Sequence, residues 1–417
     1  MTGIDILDQA AALVAAGRFD AALKLLAPFP EGTPGLDAQL GAARLGRKEA
    51  KAALLHLARA VEAAPKDPAL GLLLAKAHLL GNDPGAAITL ALGLAPSPER
   101  DEVLAGAYRR DALFRDCVRL VEAAQEPSDQ MLYERAMSLN GLGEAATALK
   151  AWDDLIARAP DRAAAWYGSH GPALDLLGWN EADRRLKRAA ACPKANGRYE
   201  AMAAAYDVLA GRKARLFGPK HVHVVESAAA LVPHLAEGWR LFGMTASLLA
   251  WALNEAKEPG LVLEFGVRRG ASLAVLAAHA DQEVHGFDSF EGLPEVWGAT
   301  HAGVLTTGGI LPEVGENARL HPGWFEDTLE PFLEANPGPL RFANIDSDIY
   351  SSARTVLFGL AGRIRAGTVL VFDEFIGNRT WQDDEYRAFA EFTAAHGVGF
   401  QVIAVTPACK QVAIRIT

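Results

Sequence analysis

The chain has 417 residues, half of them hydrophobic and 22% charged, with a net charge of −10. That length exceeds one ordinary core, so two domains are expected; the acidic balance speaks against nucleic acid as a partner, and the lack of an apolar run of about 18 residues speaks against a membrane span. Three scattered cysteines (Cys117, Cys192, Cys409) without CxxC spacing, and a start without a basic stretch and apolar run, fit a reducing cytoplasm and no signal peptide.

Residues 1–200 are rich in Ala and Leu, carry helical periodicity and hold few β-branched clusters. Small-residue segments recur there. Ala75-Lys-Ala-His-Leu-Leu-Gly81 precedes Gly85-Ala-Ala-Ile-Thr-Leu, Ala136-Met-Ser-Leu-Asn-Gly-Leu-Gly143 precedes Glu144-Ala-Ala-Thr-Ala-Leu, and Leu174-Asp-Leu-Leu-Gly178 precedes Asn180-Glu-Ala-Asp. Gly46 and Gly81 are 35 residues apart, as are Gly143 and Gly178. A proline often closes a unit (Pro65, Pro96, Pro160). The pattern resembles tetratricopeptide (TPR) repeats, each unit a helix, a turn and a second helix. Such an α-solenoid either recruits a protein or peptide on its concave face or only stabilises and dimerises its neighbour.

Residues 201–260 read as a helical linker leading into the second domain. His221-Val-His-Val-Val alternates like a short strand, and a long apolar helix is expected around Leu241 to Ala256. His221 and His223 have the look of a metal pair, but strand alternation explains them equally.

Residues 261–417 alternate strand and helix. Strands are expected at 261–265, 283–288, 318–321, 340–346, 368–373, 399–405 and 410–416. Helices are expected near 272–280, 326–335, 351–364 and 383–396. Alternation of this kind implies a parallel sheet with right-handed crossovers. The last two strands are joined only by Thr406-Pro-Ala-Cys-Lys, too short for a crossover helix, so they must pair antiparallel. The fold class expected is therefore α plus α/β: a TPR-like solenoid, then a Rossmann-like, seven-stranded domain with the architecture of class I S-adenosylmethionine-dependent methyltransferases.

Acids gather where these strands stop. Leu261-Val-Leu-Glu264-Phe-Gly266-Val-Arg-Arg-Gly270-Ala-Ser272 runs a strand into a glycine turn and a helix N-terminus. Its spacing is neither the dinucleotide GxGxxG nor a P-loop. Asp288 ends the second strand, where a carboxylate accepts two hydrogen bonds from a ribose; the alternative role is a helix cap. Asp346 and Asp348, then Asp373 and Glu374, end two later strands. Convergent anions need a cation or raised pKa values, and oxygen-only ligands suit magnesium, calcium or manganese rather than zinc.

Four ordered motifs carry a more specific likeness: Phe287-Asp-Ser-Phe-Glu-Gly-Leu-Pro294, Gly323-Trp-Phe-Glu-Asp-Thr-Leu329, Asn344-Ile-Asp-Ser-Asp-Ile-Tyr-Ser-Ser352 and Gly367-Thr-Val-Leu-Val-Phe-Asp-Glu374. Together they resemble the macrocin O-methyltransferase (TylF-type) family over residues 225 to 417. The resemblance implies S-adenosylmethionine as donor, a divalent ion (usually Mg2+) and a sugar hydroxyl on a small molecule or glycan as acceptor, in a protein that is often a homo-oligomer, commonly a dimer. By position, Glu264, Gly266, Gly270 and Ser272 would line the methionine and ribose part of the donor, Asp288 would hold the ribose and Ser289 would lie beside it. Asp346, Asp373 and Glu374 match the metal acids, with Glu374 standing where the family has Asp. Asp348 matches the second acid of an Asp-Gly-Asp. Asp346 is the candidate base, taking the proton of a hydroxyl whose pKa a bound ion lowers; His301 and His321 are alternatives. Trp297, His301 and the run Gly303 to Gly309 suggest a lid or an acceptor loop, and Trp381 and Tyr386 either stack on a sugar or pack a helix start.

Overall fold

The computed structural model describes residues 3–193, 195–297 and 302–417. By contacts the chain divides into two compact units, 1–135 and 136–417.

The first unit is built of paired helices: Gly3–Ala15 with Phe19–Leu26, Leu36–Gly46 with Ala50–Ala63, Pro68–Leu80 with Pro84–Leu92, and Pro98–Arg110 with Phe114–Ala123. Each helix packs on the next, and the first helix of each pair also packs on the first helix of the following pair, which is the contact pattern of a solenoid. Local sequence starts the helices. Asp67, Asp83 and Ser97 accept a backbone N–H from inside the helix they cap, each followed by a proline at the first helical position. Small residues let the helices close on one another: a Cβ on Gly46 would lie 2.2 Å from the ring of Phe19.

The repeat shows in the backbone more clearly than in the glycines. One left-handed residue occupies the turn inside each pair: Gly17, Lys48, Asn82 and Ala112 in the first unit, Gly143 and Gly178 in the second. Non-glycine residues take three of these positions, so glycine spacing alone under-reports the repeat.

The second unit opens with the helices Ala145–Arg158, Ala163–Leu177, Trp179–Ala191 and Arg198–Leu209. The last three belong to the sheet's own core: Leu174, Leu186 and Tyr206 share one buried cluster with Phe265, Phe287 and Ile345. The approach is close. A Cβ on Gly243 would lie 2.0 Å from the carbonyl oxygen of Gly171, and Asp175 accepts the N–H of Gly243 at 2.7 Å. His221-Val-His-Val-Val does not form a strand. It leads into a helix, Val222–Leu231, because Val224, Val225, Ala228 and Leu231 recur at helical spacing and are buried together.

The sheet has eight strands among the described residues: β1 (Leu235–Leu241), β2 (Leu261–Phe265), β3 (Val284–Asp288), β4 (Ala318–Pro322), β5 (Leu340–Ile345), β6 (Val369–Phe372), β7 (Phe400–Thr406) and β8 (Gln411–Ile416). Their order is β1-β7-β8-β6-β5-β2-β3-β4, with only β8 antiparallel to its neighbours. The seven expected strands are present, and the hairpin of β7 and β8 pairs antiparallel as their short link requires. The eighth, β1, lies in a segment expected to be helical. It is an edge strand paired only with β7, broken by Gly238 at φ +71°, so it carries no clean alternation. The central strands are covered on both faces. Val369 and Val371 face one core while Leu370 and Phe372 face the other, which is why they read as continuous apolar runs. No described helix is long and apolar enough to cross a membrane.

Strand order reverses at β2. From there the chain steps outward through β3 and β4, then returns to β5 on the other side. The crevice beyond the carboxyl ends of β2 and β5 is the switch point where open α/β sheets bind ligands.

Candidate active site

A cleft partly open to solvent lies at this switch point. Of the expected site residues, Gly266, Asp288, Ser289 and Asp346 line it; so do Asp348, Arg268, Trp324 and Glu326. Glu264, Gly270, Ser272, Asp373 and Glu374 do not reach its wall. His301 lies outside the described residues.

The turn after β2 forms the floor. Gly266 has φ +94°, and a Cβ there would lie 1.8 Å from the carbonyl oxygen of Asp346. Only glycine lets the two strand ends meet so closely. The N–H of Asp346 donates to the carbonyl of Phe265 at 2.8 Å, stitching the end of β5 to the end of β2. Gly270, at φ +78°, starts the helix Ala271–His279.

Beneath this turn Glu264 is fully buried. Its Oε1 accepts from the Asn344 amide at 2.9 Å, its register partner on β5, while Oε2 has no partner. Burial pushes the carboxyl up to about 7; hydrogen bonds from Asn344 and Ser272 pull it down, and the charges of Asp288 and Asp373 push it up further. A buried carboxylate oxygen without a donor is costly unless a ligand supplies one.

Asp288 is held from three sides. Its Oδ2 accepts the N–H groups of Val267 at 2.9 Å and Arg268 at 2.7 Å, and Oδ1 accepts that of Phe290 at 2.6 Å. A carboxylate offers about four acceptor positions. Roughly one therefore remains for a ribose hydroxyl, where the sequence suggested two. Asp288 thus also fixes the glycine turn. Ser289 accepts the N–H of Glu291 at 3.2 Å.

The acids at the ends of β5 and β6 form one electrostatic group with Glu385, the first residue of the helix Glu385–His396. Burial is the first cause of a raised pKa for Asp346, Asp348, Asp373 and Glu385. Asp346 is pushed well above its usual range, next by the charges of Asp373 and Asp348. Asp348 is raised to about 8 and Asp373 to about 7, with Glu374 the next contributor to both; Lys410 opposes each. Asp348 sits at φ +62°, a strained turn that aims it at the cleft wall.

The two acids on β6's end have protein partners. Lys410 Nζ donates to Glu374 Oε1 at 3.0 Å and Oε2 at 2.7 Å, and Asn378 donates to the same carboxylate. Gln411 donates to Asp373 Oδ1. Among the described residues no three His, Cys, Asp or Glu side chains stand as a metal-ligand group. The expected trio of Asp346, Asp373 and Glu374 does not fit a divalent ion here, because Glu374 is engaged on both oxygens by an ammonium.

Several residues of the site escaped the sequence reading. Glu385 accepts the N–H of Ser347 at 3.0 Å and that of Glu374 at 3.3 Å, bracing both acidic turns. Its signal was faint: one acid in the run Asp383-Asp384-Glu385. Lys410 lies in the hairpin turn, where a lysine is ordinarily solvent-facing, and Gln411 opens β8. Trp324 and Glu326 line the cleft from the segment Gly323 to Leu329, where nothing in their spacing marks them as site residues. Trp381 packs on Tyr386 with ring centroids 4.7 Å apart, and Trp381 is buried, so this pair packs the helix start.

Residues 263–375 match the family model of a methyltransferase domain. Over 144 residues the chain is 35% identical to 8-demethyl-8-(2,3-dimethoxy-alpha-L-rhamnosyl)-tetracenomycin-C 4'-O-methyltransferase of Streptomyces olivaceus, a match covering 28% of this chain and 53% of that protein. Over 157 residues it is 29% identical to demethyldecarbamoylnovobiocin O-methyltransferase of Streptomyces niveus, covering 31% of this chain and 59% of that one. The chain thus spans little more than half the length of these curated relatives. Among solved structures, the O-methyltransferase NovP aligns at 22% identity and a TM-score of 0.32, over 41% of this chain and 78% of that one. Residues 263–375 of the second unit thus match a methyltransferase domain, on a sheet whose strand order reverses at β2.

Proposed function

We propose that the chain is an S-adenosylmethionine-dependent O-methyltransferase whose acceptor is a hydroxyl of a sugar, a sugar-bearing metabolite or a glycan. The observation that carries this reading is Asp346 on the wall of the switch-point cleft, beside Gly266 and Asp288. The acceptor class is supported by the two curated relatives, whose names place their methyl groups on a rhamnosyl unit and on a novobiocin precursor.

S-adenosylmethionine, when bound, supplies an electrophilic methyl group on a sulfonium. The chain's residues then have three tasks. Asp288 offers its remaining acceptor position to a ribose hydroxyl, and Glu264, buried behind the Gly266 turn, ties β2 to β5 through Asn344. Asp346 takes the proton of the acceptor hydroxyl as the C–O bond forms and the C–S bond breaks, leaving a methyl ether and a neutral thioether. A carboxyl with a raised pKa is a stronger base than an ordinary one once ionised, so transfer should increase as pH rises through that pKa. Orientation of methyl and oxygen within the cleft supplies the rest of the rate.

The solenoid unit of residues 1–135 is proposed as a docking surface for a protein or peptide, in a cytoplasmic homo-oligomer. Its separate packing supports a role outside the chemistry. The test is transfer of labelled methyl groups to a panel of deoxysugar glycosides and nucleotide sugars. Asp346→Asn should abolish transfer while calorimetric donor binding persists; loss of both together would remove Asp346 from the chemistry.

A further inference from the structure

The acid group beside the cleft already contains a cation. Lys410 is not a loose surface lysine. It sits at φ +65° in the turn between β7 and β8, with its N–H donated to the Pro407 carbonyl at 3.2 Å and its carbonyl accepting the N–H of Ile376 at 3.3 Å. Only 26% of its side chain is exposed, against 13% for Glu374. Its ammonium spans both oxygens of Glu374, and the Asn378 amide closes the same carboxylate. The hairpin thus delivers one fixed positive charge to the strand-end acids, with the neighbouring Gln411 holding Asp373.

A magnesium ion asks for near-octahedral oxygen ligands and keeps them from other cations. Glu374 cannot meet that demand while Lys410 occupies it, and an ammonium beside the site repels a divalent ion. The longer glutamate matters here, since its extra methylene extends the carboxylate toward the hairpin.

We propose that Lys410 is the resident cation of this acid group, holding Glu374 in the place a divalent ion would take, so that methyl transfer runs with no bound metal. This rests on the methyltransferase reading given above, in which Asp346 of this acid group stands on the cleft wall. Lys410 acts through Glu374 and is therefore a positioning residue.

The test is Mn2+ binding to the full chain, followed by electron paramagnetic resonance and calorimetry, with S-adenosylmethionine titrated separately into metal-free protein. The wild type is expected to show no saturable Mn2+ uptake and to keep its turnover after chelation. Lys410→Met is expected to gain one Mn2+ site and to depend on added Mg2+ or Mn2+ for turnover. Adding Glu374→Gln to that variant should remove the site again. One-to-one Mn2+ binding by the wild type, lost in Glu374→Gln, would overturn the proposal. The wild-type titration decides the question even where a variant fails to fold. Failure of S-adenosylmethionine to bind metal-free protein would strike the methyltransferase reading instead, so the two failures are distinguishable.

Discussion

Replacing Glu264 by Gln should change how stability depends on pH by a predictable amount. Glu264 is fully buried, and its carboxyl is raised from 4.5 to about 7, chiefly by that burial. Each tenfold change in proton affinity corresponds to about 1.4 kcal/mol, so the full effect is on the order of 3 kcal/mol. The sign follows from linkage. Below about pH 4.5 both states hold the proton and the contribution is intact; between about pH 4.5 and 7 the unfolded chain gives it up first, so stability falls as pH rises. Above about pH 7 the loss is complete and constant. Asp348, Asp373 and their neighbours are raised too and steepen the wild-type curve, so the quantity to follow is wild type minus variant. Urea unfolding by tryptophan fluorescence suits the measurement, because all eight tryptophans lie beyond residue 135 and report on the second unit. From about pH 5 to about pH 8 the difference should shift by about 2.5 kcal/mol, the wild type losing the advantage. A difference that stays flat would mean that Glu264 titrates as an ordinary carboxyl, and the account of its unpartnered oxygen would fail.

Gly266→Ala should destabilise the second unit by about 2 kcal/mol or more, from the positive φ alone plus displacement of the Asp346 carbonyl; chemical unfolding within error of wild type would contradict the close contact of β2 and β5. A chain starting at residue 129, which keeps the helix Asp129–Gly141 whole, should retain a cooperative transition and transfer to a small acceptor. One starting at residue 201 should not fold, since it strips Leu174, Ala182 and Leu186 from the sheet's core, at roughly 2 kcal/mol for each leucine. Circular dichroism melts of the two truncations check this, and a stable second truncation would refute the shared core.

Much of the architecture was legible because periodicity reports faces. The strands of the second unit fall within about a residue of their expected ends, since Val369-Leu-Val-Phe and its neighbours are buried on both sides and bounded by turns. The switch point was legible because acids and glycines sit where apolar runs stop. Partners were not. Nothing in Phe287-Asp288-Ser289 shows that three backbone N–H groups claim the carboxylate, and nothing in Asp373-Glu374 points to a lysine 36 residues on. The edge strand β1 was illegible for another reason: half-exposed and interrupted at Gly238, it has neither a strand's nor a helix's period. Glycine spacing likewise marked the repeat only in part, because Lys48, Asn82 and Ala112 adopt left-handed turns without it.

The central claim is that the cleft between β2 and β5 binds the methyl donor through Asp288. Calorimetric titration with S-adenosylhomocysteine tests it most directly. One molecule should bind per chain, and Asp288→Ala should lose that binding while its circular dichroism spectrum stays that of the folded protein. Equal affinity in the folded variant would contradict the account.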